Sequence, residues 1–201
     1  SGASQMRTQQ LDKSQLVEPA EDCSAAWADD VAAFQPDAVL VVLGGAPRSD
    51  GEVDGTWLDP CSAEYAAWYR TAFPQALTTL SAGGAVVAVA IVAEWGQAGF
   101  EGREVFTSQR DLVNERIGCV NDLNADLTRA DPDLAAIDLS SFVCPGGECR
   151  EEVNGVLLRE DGVHLEGAAA VLANEWFVPQ LLEVIPAEPP PPAETRLSGG
   201  P

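Results

Sequence analysis

Histidine is nearly absent from this chain of 201 residues: there is one, His164. No CxxC pair occurs either, and with a single imidazole this argues against a protein-held metal ion. Basic residues are few. Lys and Arg total 11 against 32 Asp and Glu, a formal net charge of -21. A field of that sign repels phosphate backbones and anionic lipid headgroups, which excludes nucleic-acid binding. No apolar run reaches the ~18 residues of a membrane span, so no direct membrane insertion is expected. The longest run, 83–93, has the length of a buried strand. Neither GxGxxG nor GxxxxGK[ST] is present, which leaves a phosphate-loop ligand-binding domain without support. No cofactor is expected, and no internal repeat is visible. The chain opens at Ser1 rather than Met and shows no signal peptide, as expected of a processed product or a piece of a longer protein.

What is present is globular: 46% hydrophobic and only 21% charged residues, enough for one domain with its own core. Residues 1–20 are polar and without period, and read as loop. Residues 21–34 form a first helix, with Ala25, Ala26, Val31 and Phe34 turned inward, ended by Gln35-Pro36-Asp37. Ala38 to Leu43 is a continuous apolar run, as in a strand buried on both faces. It stops at Gly44-Gly45-Ala46-Pro47-Arg48-Ser49, a loop at a strand's carboxyl end, where open α/β sheets place their chemistry. The stretch 53–60 projects from the sheet. Ser62 caps a helix to about Leu80, whose Tyr65, Trp68, Tyr69, Ala72, Ala76 and Leu80 read as core rather than as a cofactor site, with Pro74 a candidate bend. A second strand follows at 85–92, then a Trp95-containing loop to Phe106 able to line a cleft. Residues 107–130 are a long helix, with Leu112, Val113, Ile117, Val120, Leu123 and Leu127 on one face, and 134–139 a third strand. Residues 156–159 are short and extended, and 165–182 the last helix, anchored by Leu172, Trp176 and Leu181. The expected fold is α/β, a parallel sheet with helices on both faces, with the domain at 21–185 and a Pro/Gly-rich tail at 186–201. Three strong strands are few for such a sheet and imply a missing strand upstream.

Of the five cysteines, Cys144 and Cys149 enclose Pro-Gly-Gly-Glu, a loop that a disulfide can close. Cys23 with Cys61 is a weaker candidate pair. That leaves Cys119 in a helix interior, as a buried thiol or with a partner outside this chain. The count leans toward an oxidising, extracytoplasmic compartment.

The chemistry concentrates in Asp161-Gly-Val-His164, at the mouth of a small-residue helix. A carboxylate three residues before a histidine suits a serine hydrolase's relay. The imidazole takes a hydroxyl's proton while the carboxylate fixes the tautomer. The competing reading is a helix-capping histidine beside an Asp turn residue. Ser49 is sterically able to attack, but no G-x-S-x-G elbow surrounds it, and a turn role fits it better.

Several separated pieces resemble one family. They are Cys23-Ser-Ala-Ala-Trp27, Phe34-Gln-Pro-Asp-Ala-Val-Leu-Val-Val-Leu-Gly44, Val53-Asp-Gly-Thr-Trp-Leu58, Val120-Asn-Asp-Leu-Asn124, Ile137-Asp-Leu139, Cys144-Pro-Gly-Gly147 and Gly155-Val-Leu-Leu-Arg-Glu-Asp-Gly-Val-His-Leu165. Together and in order they resemble the SGNH-type (GDSL-like) hydrolase domain fused behind membrane-embedded bacterial acyltransferases that modify cell-envelope glycans. The resemblance implies a three-layer α/β/α sandwich with a flavodoxin-like sheet. It implies an acylated glycan as substrate, a membrane acyltransferase domain in the same parent chain and an extracytoplasmic location. His164 and Asp161 carry over as base and orienting acid, Gly44 as the glycine of the family's third block, with Gly45 beside it and Ser49 further on as oxyanion or cleft candidates, and Gly2 as the second-block glycine of the oxyanion hole.

Two departures matter. The family's Gly-Asp-Ser nucleophile motif is nowhere in this chain, and the block at Gly44-Gly45-Ala46-Pro47 has no oxyanion asparagine. Losing one such donor typically costs about a hundredfold or more in rate, and losing the nucleophile removes the covalent route. Two expectations follow: a serine esterase or O-acyltransferase lacking its nucleophile within this chain, or a non-catalytic glycan-binding or partner-docking module on the same fold.

Overall fold

The most deeply buried strand explains the rest. In the computed structural model, which describes residues 7–9, 16–17, 23–43, 50–96 and 104–186, Val87 to Ala90 are at most 2% exposed. Their strand lies between two parallel neighbours, and short apolar side chains suit both of its faces.

In chain order the strands are β1 (Arg7–Gln9), β2 (Leu16–Val17), β3 (Ala38–Val41), β4 (Gly51–Val53), β5 (Thr56–Leu58), β6 (Val86–Ala90), β7 (Leu134–Ile137), β8 (Glu152–Val153) and β9 (Val156–Leu157). The helices are α1 (Cys23–Phe34), α2 (Ala63–Leu80), α3 (Glu104–Ala130), α4 (Leu139–Val143) and α5 (Gly167–Val184). The fold is mixed α/β. A parallel sheet runs β3-β6-β7, with Val39 opposite Val87 and Val89 opposite Ala136. A four-stranded sheet runs β2-β1-β4-β5, antiparallel at each pairing, and β8-β9 form a hairpin.

Two readings of the amino-terminal third are corrected. Residues 1–20 are not all loop, because β1 and β2 pair there, and 53–60 does not project alone. It closes the β4-β5 hairpin, whose outer partner is β1. Asp54 (φ 50°) and Gly55 (φ 80°) both adopt left-handed backbone, the conformation a two-residue hairpin turn requires. Asn154 (φ 53°) and Gly155 (φ 77°) do the same between β8 and β9. Likewise α3 begins at Glu104 rather than 107, and the third strand stops at Ile137 rather than 139, with the short helix α4 following at Leu139–Val143.

Helix α2 starts where Ser62 accepts a hydrogen bond from Tyr65 N–H, and it runs unbroken through Pro74. Its buried stripe is Tyr65, Tyr69, Phe73, Leu77 and Leu80, with Trp68 half-buried against it and Ala72 and Ala76 off its centre. The Tyr69 hydroxyl donates to Asn124 Oδ1 at 2.6 Å, which satisfies both buried groups. Val31 of α1 and Val120 and Leu123 of α3 complete this core with Val87 and Val89. Phe34, expected inward, is 79% exposed at the end of α1, and Leu112 of α3 is also exposed. In α5 the fully buried positions are Ala169 and Ala173, against Phe142 and Leu158, while Leu172 and Trp176 pack partly buried around them.

Cys144–Cys149 is a disulfide, as the loop between them suggested. The second bridge is a correction: Cys61 pairs with Cys119, not Cys23, at a Cα–Cα distance of 5.3 Å. Helix α3 packs on α2, so Cys119 meets the residue just ahead of the α2 cap. Two disulfides suit an oxidising compartment. Among the described residues no helix is long and apolar enough to cross a membrane.

Candidate active site

The loop between β9 and α5 carries Asp161 and His164, and it is tied to the carboxyl rim of the parallel sheet. Beyond β6 the chain continues extended. Ile91 N–H donates to Ile137 O at the end of β7, and Ser140 N–H donates to Ile91 O. Two asparagines of α3, seven residues apart, hold this extension. Asn121 accepts from Val92 N–H and donates to Val92 O, and Asn114 does the same with Trp95. Onto this anchored strip the 159–164 loop is fastened. Gly96 N–H donates to Gly162 O at 2.8 Å, the buried Arg159 donates to Glu94 O, and Val163 packs on the cluster of Ala90, Val92 and Trp95.

Within the loop, one carboxylate does two jobs. Asp161 Oδ1 accepts from Val163 N–H (2.9 Å) and His164 N–H (2.7 Å), forming an Asx turn around Gly162 (φ 80°). Its Oδ2 lies 2.6 Å from His164 Nδ1. The turn is what swings the ring onto the carboxylate, so the turn role of Asp161 and its contact with His164 are made by one side chain. The helix-capping alternative does not describe His164, because the cap of α5 is Glu166, two residues on. Gly167, the first helical residue, has φ 52°.

Burial raises the Asp161 carboxyl, but the His164 and Val163 N–H groups and the imidazole's charge more than reverse this, holding it at about 2. It is therefore ionised at every working pH and can only accept. When the ring is neutral, His164 Nδ1 therefore carries the proton, which leaves Nε2 with a lone pair. A 13C titration of the Asp161 carboxyl is expected to show a midpoint near pH 2 rather than the ordinary 3.8. Because the folded value is depressed, the contact's stabilising share is complete above pH ~4 and is lost as pH falls toward 2. A midpoint at the ordinary value would mean that the pair does not form in solution.

His164 is exposed, its side chain 66% accessible, yet it does not stand over bare surface. It borders a cavity of about 550 Å³ walled by Val156, Leu158, Glu160, Glu166 and Ala169. Among the described residues lining that cavity none carries a hydroxyl or thiol, and none bonds Nε2. Gly2, Gly44, Gly45 and Ser49 lie outside the described residues, as does the side chain of Cys23. Asp50, the first described residue after the 44–49 segment, is held in place. Asp50 and Asp59 both accept from the guanidinium of Arg116, which is 5% exposed, at 2.6 Å for Asp50.

Sequence reasoning missed Arg116, Asn114, Asn121 and Arg159. A signal existed for the asparagines: they interrupt the apolar face of α3 between Val113 and Ile117 and after Val120, at a spacing of two helical turns. No protein-family model matches the chain, and the search of curated proteins found no match.

Proposed function

We propose that this chain supplies the histidine and aspartate of a serine-hydrolase relay, in an esterase or O-acyltransferase acting on acyl esters of cell-envelope glycans. The observation that carries the reading is the 2.6 Å contact between Asp161 Oδ2 and His164 Nδ1 beside a cavity formed by β9, the 160–166 loop and the start of α5. In the reaction a hydroxyl attacks the acyl carbon as His164 Nε2 takes its proton, and His164 returns that proton to the departing sugar oxygen. The attacking hydroxyl comes from outside the described residues, either Ser49 or a segment laid along β3. Among the described residues β3 pairs only with β6, and Phe34 and Val42 beside it are 79% and 51% exposed. Gly44 N–H serves the oxyanion. The three-layer α/β/α arrangement with a flavodoxin-like sheet, a tether to a membrane acyltransferase domain and an extracytoplasmic location belong to the same proposal.

The full-length protein is expected to hydrolyse p-nitrophenyl acetate, and His164→Ala to abolish it. Hydrolysis unchanged in His164→Ala overturns the reading. One observation favours a second reading, a glycan-binding module without turnover: no described residue puts a nucleophile into the His164 cavity. Saturable carbohydrate binding by a full-length protein with no hydrolysis would select it.

A further inference from the structure

Arg159 and Gly162 of the 159–164 loop line a second cavity, of about 470 Å³, which the proposed relay does not use. Three of the chain's 11 basic residues converge there, Arg110, Arg150 and Arg159, although the protein carries a net charge of -21. Arg159 is the unusual one. It is only 5% exposed, and among the described residues its guanidinium donates a single hydrogen bond, to Glu94 O, with no carboxylate at ion-pair distance. Its buried charge is compensated only in part, by Glu94 O and by the nearby Asp161 carboxylate, and burial still holds its pKa below the ordinary value. Arg110 is only weakly engaged, with its neighbour Asp111 at 3.3 Å, and Arg150 donates to Phe142 O while lying over the Phe142 ring. The rim is not uniformly basic: the exposed Glu94, Asp111 and Glu151 also line it. A small inorganic anion would meet these carboxylates as repulsion. A sugar bearing one carboxylate would meet them as acceptors for its hydroxyls, with the guanidinium forks matching its charge.

We infer that this cavity is a subsite for an acidic sugar unit, its carboxylate held by Arg159 and Arg110 and its hydroxyls by Glu94 and Glu151. The subsite deepens the proposed glycan chemistry and rests on it for its role, since one loop walls both cavities. Its existence is read from binding alone.

Calorimetric titration of the full-length protein with glucuronate, glucose and inorganic phosphate tests it. Glucuronate is expected to bind saturably and glucose at least tenfold more weakly. Arg110→Gln is expected to weaken glucuronate at least tenfold, and His164→Ala to leave its affinity unchanged even if the esterase reading fails. Gly96→Ala is a second probe. Its Cβ would sit 2.8 Å from Arg159 Nη2 and displace the guanidinium, so a comparable loss is expected with Arg159 still present. No saturable glucuronate binding, equal affinity for glucose or for phosphate, or affinity unchanged in Arg110→Gln overturns the subsite.

Discussion

Asp161→Asn is expected to lower kcat for p-nitrophenyl acetate by about 10⁴-fold in the full-length protein while leaving its Tm nearly unchanged. The two halves of that outcome come from the two oxygens of one side chain. An asparagine keeps Oδ1, so the N–H groups of Val163 and His164 retain their acceptor and the Asx turn survives. It replaces Oδ2 by an NH₂ group, which can only donate toward His164 Nδ1. The ring then presents its lone pair at Nδ1 and carries its proton on Nε2, the wrong tautomer for a base. Asp161→Ala removes both functions and is expected to lower Tm as well as kcat. If Asp161→Asn retains full activity, His164 does not act through this carboxylate. If it loses Tm as well as Asp161→Ala does, the turn, not the relay, is what the charge supports.

The pair was legible because it is local: a turn of four residues brings positions 161 and 164 together without help from the rest of the fold. The same holds for Cys144 and Cys149, five residues apart, and for β6, whose apolar run declares its burial; the run at β3 reads as buried on both faces, yet β3 is an edge strand and only half-buried. Strands of two or three residues show no period, so β1 and β2 were invisible. β1 pairs with β4 across 43 or more residues of sequence, as in Thr8 opposite Gly51, and β2 pairs with β1 alone. The Asp54-Gly55 and Asn154-Gly155 pairs were a stronger hairpin signal than the apolar pattern around them, since both residues of such a turn need left-handed backbone. Arg159 was unreadable for a different reason. Arginine is an exposed residue by habit, and only the close approach of Gly96 and the carbonyl of Glu94 makes this one an interior group. The relay's approach to the sheet rim was likewise hidden, because it runs through backbone contacts of Gly96 and Gly162 that no side chain advertises.

Replacing both Cys61 and Cys119 by Ala is expected to cost about 4 kcal/mol of stability, from the loop entropy of a bridge between residues this far apart. The separation is 58 residues, against 5 for Cys144–Cys149, whose removal on the same account costs about 2 kcal/mol. Urea unfolding of the two double variants checks the order, and a smaller loss for the Cys61/Cys119 variant would show that its loop is already constrained in the unfolded chain. The longer bridge also bears on the candidate site. It fastens the start of α2 to α3 three residues from Arg116, and Arg116 holds Asp50, where the segment bearing Gly44, Gly45 and Ser49 rejoins the described chain. Loss of the bridge therefore loosens the anchor of the segment proposed to serve the oxyanion, while the Asp161–His164 contact, built within its own turn, is left in place. The Cys61/Cys119 variant is expected to lose esterase activity with the Asp161 carboxyl still titrating near pH 2. Activity that persists at full kcat in the folded variant would mean that the 44–49 segment contributes nothing to the reacting centre.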